Sequence, residues 1–204
     1  QAIDDALHMN LKESLDSITV FNDLPYQNAD IVTVDAVQGV VALKDDSTMI
    51  PVQHTCNGKM IFVAKNVPML GFKVYTFIKG EPKVACCSKS GEDFSFENKF
   101  YKVKINQRGE IESLVEKKTG FDISSTEVMN QLIAYEDRPA NWDNWDVDIF
   151  YQRKPYSMKL IESLKIIETG TVRVTLEVVL KMVNSTLKQR IHLYLPNPYL
   201  SCCL

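Results

Sequence analysis

The run from Thr171 to Met182 limits the possible folds more than any other stretch of the chain. Val172, Val174, Leu176, Val178, Leu180 and Met182 alternate there with Thr171, Arg173, Thr175, Glu177, Val179 and Lys181. Side chains on a strand alternate between two faces, so six apolar residues at period two take one whole face of a long strand out of water. Such a strand needs neighbours in a sheet and a second layer over its apolar face. Ile191, Leu193 and Leu195 begin its expected partner, and the sheet is expected to be antiparallel and large.

Shorter runs rich in Val, Ile, Thr, Phe and Tyr stand upstream at 18–21, 30–37, 40–43, 60–64 and 72–78. Turn residues such as Asp45-Asp46-Ser47, Asn57-Gly58 and Pro68-Met69-Leu70-Gly71 separate them. This spacing predicts a small β-sandwich over 17–85. Farther on, Tyr101, Val103 and Ile105 share one face while Lys102 and Lys104 share the other, and Arg108-Gly109 reads as a hairpin turn. A second, larger antiparallel sandwich is therefore expected from 92 to 204, truncated where the chain stops just after a strand. The segment 86–91, with Ser88, Ser90 and Gly91 and no apolar period, is the expected linker. Residues 1–16 place Ile3, Ala6, Leu7, Leu11 and Leu15 at spacings of three and four, which predicts a short N-terminal helix, the end of a helical bundle. The fold class is mostly β.

Composition removes several functions. Lys and Arg number 23 against 26 Asp and Glu, a net charge of −3 over 204 residues, with no basic block of the kind that follows a phosphate backbone. No apolar stretch approaches the roughly 20 residues that cross a bilayer as a helix. Neither nucleic acid nor membrane is expected as a partner; an oligomer is compatible with the sequence. The five cysteines, Cys56, Cys86-Cys87 and Cys202-Cys203, form an odd and clustered set. That pattern suits free thiols in a reducing compartment, and a cytoplasmic location is expected. No Cys-x-x-Cys, His-Glu-x-x-His, Gly-x-Ser-x-Gly or phosphate loop occurs, and His8, His54 and His192 lie far apart.

One segment stands out for chemistry. Tyr135 to Tyr151 contains both tryptophans of the chain, Trp142 and Trp145, five acids, and the further aromatics Tyr135, Phe150 and Tyr151. An indole face covers the C–H side of a pyranose, while Asp and Asn side chains hydrogen-bond its hydroxyls. The alternative is a structural loop whose tryptophans plug the end of a sandwich and whose acids cap turns.

Within this segment, Asn141-Trp142-Asp143-Asn144-Trp145-Asp146-Val147-Asp148 resembles the Trp-Asp-Ala-Trp-Asp motif of glycoside hydrolase family 38, the α-mannosidases, in its bacterial and cytosolic branch. Asn144 replaces the usual Ala. Three further stretches agree in order. Ile18-Thr19-Val20-Phe21-Asn22-Asp23-Leu24-Pro25 is similar to the family's V-x-N-x-L-P-W strand, with Tyr26 in place of Trp. Val67-Pro68-Met69-Leu70-Gly71-Phe72 is similar to its V-P-x-L-G-Y strand start. Phe96-Glu97-Asn98-Lys99-Phe100-Tyr101, with Gly109 and Lys117-Lys118-Thr119-Gly120, resembles the opening of its galactose-mutarotase-like sandwich.

The resemblance implies a parent enzyme with an N-terminal α/β barrel, a three-helix bundle, a small β-domain and a large C-terminal sandwich. It implies retaining hydrolysis of α-mannosides, with paired carboxylates roughly 5 Å apart. It also implies a zinc ion bound by two histidines and two aspartates, and these, with the nucleophilic Asp, would lie upstream of Gln1. No catalytic or metal-binding residue is therefore carried over to this chain, and the segment alone is expected to be inactive. Its implied partners are a mannose-containing carbohydrate and its own upstream barrel and bundle. Trp142, Asp143, Trp145 and Asp146 are the candidate substrate-binding residues. The competing readings are a free-standing carbohydrate-binding module, and part of another glycosidase or lyase built on a mutarotase-like sandwich.

Overall fold

The alternating runs of the sequence become two separate β units, Gln1–Ala85 and Cys86–Leu204. The computed structural model describes residues 16–46, 48–81, 89–90, 94–124, 127–139, 141–142, 146–156 and 158–204. The helix expected over 1–16 lies outside the described residues except for Asp16, which sits in a turn.

The first unit contains β1 (Ser17–Asn22), β2 (Asn28–Asp35), β3 (Val40–Lys44), β4 (Met49–Pro51), β5 (Gln53–His54), β6 (Lys59–Val67) and β7 (Gly71–Lys79). Its strands pair antiparallel into sheets of order β1-β7-β3-β4 and β2-β6-β5. Val40, Leu43, Met60, Phe62 and Tyr75 are fully buried in its core, where the rings of Phe62 and Tyr75 meet edge to face at 5.4 Å. The short strands β4 and β5 were not expected from the sequence, because two or three residues are too few to show a period.

Asn22 closes one end of this unit. Its Nδ2 donates to the carbonyls of Tyr26, Val67 and Pro68 at 2.8, 3.2 and 3.0 Å, and its Oδ1 accepts from the Leu24 amide at 3.1 Å. Two chain segments 45 residues apart are thus held by one amide side chain, which explains why an Asn belongs at this position of the Val-x-Asn-x-Leu-Pro stretch. Cys56 is disulfide-bonded, which corrects the expectation of five free thiols; Cys202 and Cys203 are free. Spacing along the chain does not show which cysteines a fold brings together.

The second unit contains β8 (Lys89–Ser90), β9 (Phe94–Glu97), β10 (Tyr101–Ile105), β11 (Ile111–Glu116), β12 (Ala134–Tyr135), β13 (Pro155–Tyr156), β14 (Lys159–Glu168), β15 (Arg173–Met182), β16 (Ser185–Tyr194) and β17 (Leu200–Cys203). The sheets run β11-β10-β9 and β17-β16-β15-β14-β8, with β12 and β13 paired on their own. β8 falls inside the segment read as a linker and pairs with β14. The run that opened the sequence reading is β15, in unbroken register with β16 from Arg173↔Tyr194 to Met182↔Ser185. Leu176, Val178, Leu180, Ile191 and Leu193 pack in one core with Tyr101, Val103 and Ile105 of the facing sheet.

Side-chain amides and carboxylates fix the turns of this unit. Asn98 Oδ1 accepts from the amides of Phe100 and Tyr101, both at 2.8 Å, and its Nδ2 donates to the Tyr194 carbonyl at 2.8 Å. Asp122 accepts from Ser113 Oγ, Ser124 Oγ and the Leu114 amide, which hold its carboxyl down at about 2. Replacing Asn22 by Ala is expected to strand the buried Val67 carbonyl and the part-buried carbonyls of Tyr26 and Pro68, and to lower the stability of the first unit by about 2–3 kcal/mol. Urea unfolding followed by hydrogen exchange of β1 and β7 amides measures this, and an unchanged midpoint would remove Asn22 from the account.

Candidate functional site

The aromatic and acidic segment leaves the second sandwich as a loop on a two-strand stem. Ala134 pairs with Tyr156 and Tyr135 with Pro155, and the Glu136 amide donates to the Lys154 carbonyl at 3.3 Å. Above the stem the chain forms a 3-10 turn, Tyr151–Arg153, started by Asp148, whose Oδ1 accepts from the Phe150 amide at 2.9 Å. The Tyr135 and Tyr151 rings meet edge to face at 5.2 Å, and the Arg153 guanidinium lies over the Phe150 ring at 4.0 Å.

Charge braces the stem. Glu136 receives Lys154 Nζ on one oxygen and Arg138 Nη2 on the other, each at 2.6 Å. Hydrogen bonding from Lys154 holds the Glu136 carboxyl below the ordinary glutamate range, with the Arg138 charge acting in the same direction. These three residues were not singled out in the sequence, although opposite charges flanking an aromatic stretch were there to be read.

Of the four residues expected to bind substrate, Trp142 and Asp146 are described; Asp143 and Trp145 lie outside the described residues. Trp142 and Asp146 are brought together by a backbone hydrogen bond, the Asp146 amide donating to the Trp142 carbonyl at 3.2 Å. Asp146 Oδ2 accepts from the Asn141 amide at 3.0 Å. One carboxylate oxygen thus secures the loop, and the other has no partner among the described residues. The Trp142 side chain is 69% exposed, alongside exposed Val147, Ile149 and Phe150. The segment offers an exposed indole and a carboxylate, groups that can stack on a sugar ring and accept from its hydroxyls.

Both ends of this loop are tied to the β10–β11 hairpin turn. On the way in, Asn130 Nδ2 donates to the Gly109 carbonyl at 2.7 Å and exchanges hydrogen bonds with the buried Gln189 amide at 2.9 and 3.2 Å. On the way out, Arg108 Nη2 donates to the Met158 carbonyl at 3.1 Å. The loop is presented by a rigid base, which is what a recognition element needs.

These features define a mostly β chain whose second sandwich carries a braced loop with a tryptophan and a carboxylate. Residues 96–201 match the family described as Glycosyl hydrolases family 38 C-terminal domain, and the chain belongs to that family. It is also similar to alpha-mannosidase G of Dictyostelium discoideum, with 35% identity over 88 residues, or 42% of this chain. That alignment covers 8% of the Dictyostelium protein, so the chain spans a small part of the length of the curated relative it matches.

Because the folded-state pKa of Glu136 is depressed, its ion pairs stabilise the stem above the ordinary glutamate range and are lost as pH falls below it. Carboxyl NMR is expected to show Glu136 titrating below an unpaired glutamate, and Lys154→Met to move it upward. A titration indifferent to Lys154→Met would mean that the pair does not form in solution.

Proposed function

We propose that this chain is a non-catalytic β segment of a zinc-dependent retaining α-mannosidase acting on terminal α-mannosides of glycans or oligosaccharides. The observation that carries the proposal is the family 38 match over residues 96–201; the likeness to a protein named alpha-mannosidase G supports the substrate class.

In this reading the loop carrying Trp142, Asp143, Trp145 and Asp146 walls the active-site mouth formed with an upstream barrel and helical bundle. The exposed Trp142 ring covers a sugar face and the free Asp146 oxygen accepts from a hydroxyl. Excluding water and fixing the substrate's orientation would be the segment's share in catalysis. When bound, zinc would hold sugar hydroxyls and stabilise developing charge. Among the described residues no three His, Cys, Asp or Glu side chains gather to hold a metal, so no step through zinc is derived for this chain. A cytoplasmic location is also proposed, on the free thiols Cys202 and Cys203; the Cys56 disulfide counts against it, because reducing compartments keep thiols reduced.

The test is kinetics of the full-length enzyme carrying Trp142→Ala or Asp146→Asn. Asparagine keeps an oxygen for the Asn141 amide while removing the charge. The expected result is a fall of about tenfold or more in kcat/KM with unchanged melting, since a ligand contact has been lost without loss of fold. Normal turnover in both variants would overturn the site role, and an assembled enzyme inactive on every α-mannoside would overturn the proposal as a whole.

A further inference from the structure

The five-stranded sheet has a second face, opposite the one that carries Leu176, Val178, Ile191 and Leu193 into the core. Register pairs Thr175 with His192 and Glu177 with Arg190 across β15 and β16, and His192 with Ser201 and Arg190 with Cys203 across β16 and β17. Directly paired residues point to the same side, so these groups share the second face.

Most charges on this face are already engaged. Arg173 donates to both oxygens of Glu168, at 3.0 and 3.4 Å. Arg190 Nε donates to Glu177 Oε2 at 3.0 Å, and Lys188 Nζ stands 3.7 Å from Glu177 Oε1. His192 Nδ1 lies 2.9 Å from Thr175 Oγ1. Three sets of atoms on this face are not engaged: among the described residues, the two terminal nitrogens of Arg190, Nε2 of His192 and the hydroxyl of Ser201 have no partner. Same-face neighbours on a strand are about 6.6 Å apart and cross-strand partners about 5 Å, so these residues are neighbours on one face.

We propose that the seam between β16 and β17 binds a phosphate monoester through Arg190, His192 and Ser201. A guanidinium fork takes two oxygens, while the imidazole and hydroxyl approach from other directions. Three converging directions suit a tetrahedral group; a planar carboxylate would engage the fork alone. Glu177, the nearest acid, lies on β15 and is already engaged by Arg190 Nε at 3.0 Å, which leaves the two terminal nitrogens of the guanidinium for a ligand. The local potential has the required sign. The His192 imidazole is pushed down to about 4, first by burial and then by the charges of Arg173 and Arg190. The other groups facing it are Tyr194 on its own strand, Cys203 and Ser201 on β17, and Glu168 of β14 beyond Thr175, whose carboxylate is occupied by Arg173. The proposal does not depend on the mannosidase reading.

The test follows His192 by imidazole NMR, with calorimetry, on the full chain against inorganic phosphate, a hexose 6-phosphate and the same hexose without phosphate. Both phosphate probes are expected to raise the His192 titration from about 4 toward neutrality, because a bound anion favours the imidazolium, and the plain hexose to leave it unmoved. Equal affinity for the two phosphate probes would identify the free ion as the ligand, and tighter binding of the ester would include the sugar. Arg190→Gln is expected to weaken binding by about tenfold or more. Arg190→Lys, which keeps the charge without the fork, should weaken it by less, and Lys104→Gln on the other sheet should change nothing. A His192 titration indifferent to millimolar phosphate, or a response that survives Arg190→Gln, would overturn the proposal.

Discussion

The second unit depends on one contact: the tip of the β10–β11 hairpin pressed onto the facing sheet at Gly109. There the chain has φ of +81°, and a Cβ in place of the glycine hydrogen would stand 2.9 Å from Val178 Cγ1 and 3.1 Å from Gln189 Oε1. Only a glycine gives both the backbone angle and the clearance. The close approach brings the Gly109 carbonyl to Asn130, and Asn130 in turn satisfies the buried amide of Gln189. A buried Gln left without partners would cost about 1–3 kcal/mol, so the hairpin, the loop and β16 stand or fall together.

Function inherits this constraint. Asn130 precedes the stem of the tryptophan loop and Met158 follows it, and both are held by the same hairpin turn, through Gly109 and Arg108. The Glu136, Lys154 and Arg138 cluster then stiffens the stem, and the Asp146 carboxylate closes the turn above it. In the proposed sugar-binding role, an indole as exposed as Trp142 would lose binding energy to ordering, and bracing of the loop reduces that loss. The polar face of the large sheet uses a similar economy of partners. Glu168 holds Arg173, and Glu177 holds both Arg190 and Lys188.

What could be read in the sequence follows from periodicity. β15, β16 and β10 were legible because apolar residues at period two leave no other placement, and Arg108-Gly109 was legible as a turn. The four stretches that pointed to family 38 were legible as patterns; their reasons appear only in the fold, where Asn22 and Asn98 each join segments distant in the chain. Short strands such as β4, β5 and β8 carry too few residues to show a period. The Gln189, Asn130 and Gly109 network joins three separate segments, so no local window contains it. His192 read as an isolated histidine because Thr175 and Ser201 are brought to it by strand pairing. The Cys56 disulfide escaped for the same reason: pairing across the fold is not encoded in spacing.

The central claim, that the unit is organised by the close approach at Gly109, is tested most directly by comparing two glycine substitutions in thermal melts. Gly120 has a similar φ of +73°, but nothing lies within 4 Å of the position its Cβ would take. Alanine at either site meets the same backbone penalty of about 1–2 kcal/mol. At Gly109 it must also displace Val178 and Gln189, a further cost of about 1–3 kcal/mol for overpacking. The account predicts that Gly109→Ala lowers the melting temperature well beyond Gly120→Ala and loosens the tryptophan loop in hydrogen exchange. Equal losses at the two positions, with the loop unchanged, would contradict it.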